Sequence, residues 1–564
     1  MAESSLLQAY GLQRNPFTDR TAERTNLDVK MLYMHSDLQG FVPSKTTYLF
    51  FGKRGSGKTT IRMQTQSAYL DHNARAAAWQ KKKEELLELH KAAASGKGKG
   101  ITSAALKENG NGASHLIDEE EPMADGADQP EPYFIVDLAN PGHLTSCLTN
   151  FMAAIGARED TWDAAFSKEW TSVDLLDCIL SYAATKLVRY VLDNPSAVAR
   201  LKQESNGRAI RQLLLLGYMY AQVEGTALEA LRKLLSSSPS PVASNATVRW
   251  VKRNALASMM ALTAGAIKLS SKLFPDQFET ASLYVQKEVY KIGLVRNHPR
   301  LTAVAASSVM MGAGLLSSFG RAELVRRRGA ALCSSIRIVP YRPEVASIVD
   351  QLFPLSEQVE SIRMMYIGIS AHQKLDLLSS LVTVLGFAES PAIFGDCFDE
   401  VVLLDPAMYP SAIKAFAKEV CKNDLLNVGR LHFFFPDSRI ALDLNTDKIL
   451  KEARFDRHFV RDLTWSRHQL ADLAERRFRA AQLMAAKKSG NPEAAVPMRS
   501  FKELFERVRA EDFSSSLSKI QTPRELMIMM TEVIMRMEAH SNEEFTIAGP
   551  ELEIAVQRAF ESSV

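Results

Sequence analysis

Apolar residues in this chain fall either into short unbroken runs or into long stretches with helical spacing. Four runs read as buried strands: Thr47-Tyr-Leu-Phe-Phe51, Pro132-Tyr-Phe-Ile-Val-Asp137, Pro391-Ala-Ile-Phe-Gly395 and Arg430-Leu-His-Phe-Phe-Phe435. Each is apolar on both faces, which predicts a parallel sheet covered on both sides. Period-3.6 patterns mark helices at Ala209-Ile-Arg-Gln-Leu-Leu-Leu-Leu-Gly217, Ala227-Leu-Glu-Ala-Leu-Arg-Lys-Leu-Leu235 and Ala412-Ile-Lys-Ala-Phe-Ala-Lys-Glu-Val420. The last lies between two strands, so the expected class is α/β, a three-layer parallel sheet wrapped by helices.

A chain of 564 residues exceeds one hydrophobic core. The pattern divides it into a first part of the sheet domain at 1–91 and a polar, Gly- and acid-rich segment at 92–132. A single core strand follows at 133–142, with a turn at Asn140-Pro-Gly142. Then come a large inserted helical region at 143–380, the rest of the sheet domain at 381–465, and a C-terminal helical lid at 466–564. Segment 92–132 is too polar to offset its ordering entropy and is expected to be disordered. A helix running from Thr59 to about His90 ends in a charged, solvated face. No internal repeat is evident.

Composition is ordinary for a globular protein: 46% hydrophobic, 24% charged, net charge +3. With no dominant basic block, nucleic-acid binding has no support. The cysteines Cys147, Cys178, Cys333, Cys397 and Cys421 are scattered without C-x-x-C spacing, so neither a disulfide framework nor a zinc site is indicated. The first residues lack the plan of a signal peptide. An intracellular, cytoplasmic location is expected.

The candidate chemistry begins at Gly52-Lys53-Arg54-Gly55-Ser56-Gly57-Lys58-Thr59, directly behind the first strand, with Thr60 continuing into a helix. This is G-x-x-x-x-G-K-[ST], a phosphate-binding loop. Its glycines let backbone N–H groups converge on phosphate oxygens. Lys58 brings a point charge, and the Thr59 hydroxyl is suited to a magnesium ion. The helix behind it turns its positive dipole end to the same anion. ATP with Mg²⁺ is the expected ligand. A second acidic group is required across the sheet, and Asp396-Cys-Phe-Asp399-Glu400 emerges from the third strand. Asp396 is the expected metal ligand, with Asp137 and then Asp405 behind it. Glu400, or Asp399, is the expected base that polarises the attacking water.

Strand, Asp, two residues, Asp-Glu resembles the Walker B form of the STAND class of AAA+-related P-loop ATPases, which includes NACHT modules. Other segments are similar to parts of the same group. They are Asn15-Pro-Phe17 with Ala22-Glu23, Leu385-Gly-Phe387, Phe433-Phe-Phe-Pro436-Asp-Ser-Arg439, and Arg454-Phe-Asp-Arg457 with Leu470-Ala-Asp-Leu-Ala-Glu-Arg-Arg477, the last two also like origin-recognition ATPases. The resemblance covers about 11–75 and 380–480 and implies a P-loop NTPase core acting as a nucleotide-controlled switch or assembly factor. A remodelling motor acting on protein or nucleic acid, and a scaffold with structural nucleotide, stay open beside it. Arg439, Arg454 and Arg457 each follow a strand, where a sensor or finger arginine belongs. Two departures stand out: more than 300 residues part the two motifs, and Gly395 precedes Asp396 where an aliphatic residue is usual.

The helical insertion is where a protein partner is expected, and nucleotide-dependent self-association is open. The apolar stretch 301–319 approaches the length of a membrane span, but its serines and alanines leave it weakly hydrophobic. Lys58 and Asp396 must meet at one nucleotide, so spans between them must be even in number, and the companion stretch 255–267 is short. A buried helix pair packed through Ala, Gly and Ser is expected, rather than a membrane hairpin like that of KAP ATPases.

Overall fold

In the computed structural model the four apolar runs are strands, and a fifth joins them. They are β1 (Tyr48–Phe51), β2 (Ile135–Asp137), β3 (Ala392–Gly395), β4 (Leu431–Phe435) and β5 (Phe459–Asp462). The described residues are 5–19, 33, 35, 38–94, 130–204, 207–236, 336–340, 371–421, 430–436, 459–489, 499–539 and 546–562. The sheet is parallel throughout, in the order β2-β3-β4-β1-β5. Every residue of β3 and β4 is buried, as strands covered on both faces require. Paired positions in parallel strands face the same way, so matched aromatics stack. Phe50 lies on Phe434 and Phe51 on Phe435, each with centroids 5.2 Å apart. A one-residue slip would turn every one of these rings to the opposite face.

His432 sits inside this ladder, stacked on Phe394 at 4.6 Å and on Tyr48 at 5.2 Å. Its Nε2 is 3.1 Å from the Tyr69 hydroxyl. Full burial pulls its pKa down to about 3. Between pH 6.5 and 3 the unfolded chain therefore takes up a proton that the folded chain refuses. Stability from this group is complete above pH 6.5 and is lost as pH falls, by up to ~1.4 kcal/mol per pH unit. His432→Phe is expected to flatten that part of the pH dependence. Urea unfolding of both proteins at pH 7.5, 6 and 5 measures it; parallel profiles would contradict it.

The chain divides into two compact units, residues 1–175 with 386–564, and residues 176–385. In the first, α1 (Ser5–Ala9) precedes β1, and α2 (Lys58–Ala94) follows it. After β2 come α3 (Pro141–Ala154) and α4 (Trp162–Glu169). Asn140-Pro-Gly142 is not a free turn but the start of α3. The Asn140 side chain accepts from the N–H groups of Gly142 and His143, and Pro141 occupies the first turn, where its missing N–H is harmless. Although α3 and α4 fall inside 143–380, they pack in the first unit. Trp170 stacks on Phe416 and on Phe166, which meets Trp162 and Phe151.

The second unit is helical: most of α5 (Ser172–Asp193), then α6 (Pro195–Gln203), α7 (Arg208–Tyr220), α8 (Gly225–Ser236) and α9 (Ala371–Val384). Nearly all of α7 is buried, Arg211 included. At Gly217 a Cβ would come 3.1 Å from Val188. Stretches 255–267 and 301–319 lie outside the described residues, as do residues 95–129 of the segment expected to be disordered. Among the described residues no helix is long and apolar enough to cross a membrane.

The first unit resumes with β3, α10 (Pro410–Val420), β4 and β5, and ends in α11 (Arg467–Ser489), α12 (Ala510–Lys519), α13 (Pro523–Ala539) and α14 (Gly549–Glu561). These last helices share one core, and the N-terminal segment belongs to it: Leu6, Tyr10, Leu12 and Phe17 pack with Leu470, Phe478, Met529 and Val533. Asn15 Oδ1 accepts the Phe17 N–H at 2.9 Å, forming the turn that seats Phe17 against Phe478.

Candidate functional site

Residues 52–57 carry the chain from β1 to α2. The Gly52 N–H still donates to Phe435 O of β4, at 3.2 Å. Gly55 and Gly57 then take φ values of 87° and 88°, a region that L side chains avoid. At Gly55 space fails as well, because a Cβ would lie 2.6 Å from Arg524 Cβ. The loop thus ends with α2 starting at Lys58 and its first N–H groups unpaired within the helix.

Lys58 is buried, and its ammonium donates to the carbonyls of Gly52 at 2.9 Å and Lys53 at 3.1 Å. Burial lowers its pKa, against the opposing charges of Asp399 and Asp396. Asp396 leaves the tip of β3 and is 3% exposed. Burial pushes its pKa up, while the Cys397 N–H, the Arg62 guanidinium and the Thr59 hydroxyl act to keep it charged. Cys397, at φ 61°, swings the chain into the 3₁₀ turn Phe398–Glu400. Phe398 is buried against Phe416, Phe433 and Phe435, and Trp162 Nε1 donates to Leu403 O at 2.8 Å. These anchors hold the turn that carries half-buried Asp399 and exposed Glu400.

Gly395 is explained by the same aromatics. A Cβ there would come 2.7 Å from the Phe433 ring and 2.8 Å from Phe398, so no aliphatic residue fits.

One cavity gathers the predicted residues: Arg54, Gly55, Gly57, Lys58, Thr59 and Thr60 from one side, Asp396, Asp399 and Glu400 from the other. Lys53 turns away, and its ammonium donates to Gln521 Oε1 at 3.2 Å. Ser56 is buried under the loop, and Gly52 abuts it. Asp137 is engaged by Arg62 and Gln66, and Asp405 Oδ1 accepts the Ala407 N–H in its own turn. Neither lines the cavity. Arg439, Arg454 and Arg457 lie outside the described residues.

Other lining residues escaped the sequence reading. Arg524 comes from the start of α13, and its charge is close enough to lower the Lys58 pKa. Its N–H donates to Gly55 O at 3.2 Å, and Trp465 Nε1 donates to Ser56 O at 2.9 Å. The helix start was legible: Thr522-Pro-Arg-Glu525 is a capping box with Pro at N1. Its distance from Lys58 was not. Trp465, Tyr33 and His35 form an aromatic wall, with Trp465 5.7 Å from Tyr33 and 5.1 Å from His35. Arg477 also reaches the cavity, but its guanidinium donates to the carbonyls of Pro16, at 2.7 Å, and Asp19. That ties the N-terminal segment to α11.

The donor set suits a triphosphate with Mg²⁺. Gly55 and Gly57 shape a cradle that side chains would fill, and Lys58 and Arg524 supply positive charge. At the cavity, Asp396 Oδ2 is buried without a hydrogen-bond partner among the described residues. Mg²⁺ favours one or two carboxylates alongside phosphate oxygens, which Thr59 and Asp396 are placed to complement. No protein-family model, curated protein or solved structure matches this chain.

Proposed function

We propose that the chain is an ATP-binding and ATP-hydrolysing P-loop protein, a nucleotide-controlled switch of the AAA+/STAND kind. One observation carries this reading: Lys58 and Thr59 behind β1 meet Asp396, Asp399 and Glu400 behind β3 at a single cavity. Strand β4 lies between those two strands, so the acids face the loop across the width of one strand. Lys58 and Arg524 hold the phosphates, Thr59 and Asp396 hold Mg²⁺, and Tyr33, His35 and Trp465 offer flat surfaces to the base. Held by Thr59 and Asp396, Mg²⁺ would supply positive charge against the charge that develops on the phosphates. Glu400 or Asp399 orients water and takes its proton.

The contacts of Arg524 with Gly55 and of Trp465 with Ser56 favour a switch over a motor. They join the C-terminal helices to the loop itself, so a change at the phosphates is felt by that module. The helical unit 176–385 is left for a protein partner. Titration with a fluorescent ATP analogue, in Mg²⁺ and in EDTA, tests the site. Binding in the micromolar range is expected, with phosphate release slow and light scattering altered by ATP if nucleotide governs assembly. Absence of binding in Mg²⁺ would refute the reading; fast, partner-stimulated turnover would favour the motor.

A further inference from the structure

Arg62 lies on α2 one turn beyond Thr59, its side chain 10% exposed, between the tips of β2 and β3. Nη1 is 2.9 Å from Asp137 Oδ2, and Nε is 3.3 Å from Asp396 Oδ2. The second contact is an ion pair without hydrogen-bond alignment, since neither atom has a hydrogen-bond partner among the described residues. Gln66, one turn further on, donates to Asp137 Oδ2 at 3.1 Å and accepts from Arg62 Nη1 at 3.3 Å. Asp137 Oδ1 takes the Ala139 N–H at 2.9 Å. One guanidinium therefore spans two carboxylates on adjacent strands.

Packing gives no reason for this choice, because a buried ion pair contributes little beyond apolar groups of the same shape. Charge does. Without Arg62, Asp396 and Asp137 would be two close negative charges, with Lys58 the other cation acting on Asp396. Such a pair attracts a bare divalent cation and repels a triphosphate that arrives without one.

We propose that Arg62 is a specificity-determining residue, a built-in counter-cation for Asp396 and Asp137, so that divalent metal enters together with the triphosphate and not onto the bare carboxylates. The proposal rests on the nucleotide reading given above. Arg62 need not touch the nucleotide; it acts through Asp396.

The test compares Mg²⁺ and EDTA affinities for a fluorescent ATP analogue in the parent and in Arg62→Met, with Mn²⁺ alone followed by electron paramagnetic resonance. In Arg62→Met the EDTA affinity is expected to fall about tenfold more than the Mg²⁺ affinity, a change of ~1.4 kcal/mol in their coupling. Mn²⁺ without nucleotide should bind the variant and not the parent. Arg62→Lys should restore the parental ratio, and Asp137→Asn, with one charge fewer, should lower it. Equal losses in Mg²⁺ and EDTA would mark Arg62 as structural and overturn the proposal. So would Mn²⁺ uptake by the parent equal to that of the variant. If Arg62→Met does not fold, an unchanged ratio in Asp137→Asn overturns it instead. A parent that binds no analogue in any condition refutes the nucleotide site, a result distinct from a parent that binds with an unaltered ratio.

Discussion

Lys58→Ala is expected to weaken ATP binding by about a hundredfold or more. The ammonium is buried at the loop and holds the carbonyls of Gly52 and Lys53, which places it at the phosphates once these compete for it. Truncating one partner of a buried charge pair costs about 2–5 kcal/mol, and ~2.7 kcal/mol is a hundredfold in Kd. Among the other cations at the cavity, Arg524 belongs to a different element, and the Arg477 guanidinium is engaged by the carbonyls of Pro16 and Asp19. Titration with a fluorescent ATP analogue measures the loss, and a thermal melt distinguishes it from misfolding. A folded Lys58→Ala protein with parental affinity would show that the nucleotide lies elsewhere.

Glu400→Gln is expected to keep ATP but slow phosphate release by about a hundredfold, in the range for loss of a general base. Asp399→Asn is the companion variant, because the two carboxylates share one 3₁₀ turn. Their surroundings separate them. The charge of Asp399 acts on Lys58, with which it lines the cavity. Glu400 is exposed at the cavity, where water reaches it. The expected order is therefore a larger kinetic loss in Glu400→Gln and a larger loss of binding in Asp399→Asn. Single-turnover phosphate release with bound ATP resolves the two effects. Unchanged rates in both variants would remove the acids from the mechanism.

Much of the sheet was legible because its strands are buried on both faces and so read as unbroken apolar runs. The strand at 459–462, Phe-Val-Arg-Asp, is polar at half its positions and so shows no unbroken apolar run. Asn140-Pro-Gly read as a turn because N-capping and turn formation use the same Asn side chain; the helix after it decides between them.

The glycine-rich loop, its lysine and threonine, and the acidic triplet after a buried strand could all be read from the order of residues. These are local: a left-handed φ, a strand end and a helix start are set by neighbouring residues. Which further groups share the cavity with the loop and the acids became visible in three dimensions alone. Parallel strands are joined through long connections, so no spacing rule announces that Arg62 spans Asp137 and Asp396. Arg524 and Trp465 reach the loop because the C-terminal helices pack into one core with residues 5–19, a pairing that depends on buried apolar area and leaves no periodic mark at either end of the chain. Gly395 shows the same division: its identity is plain in the sequence, but its reason is the pair of phenyl rings that close over it.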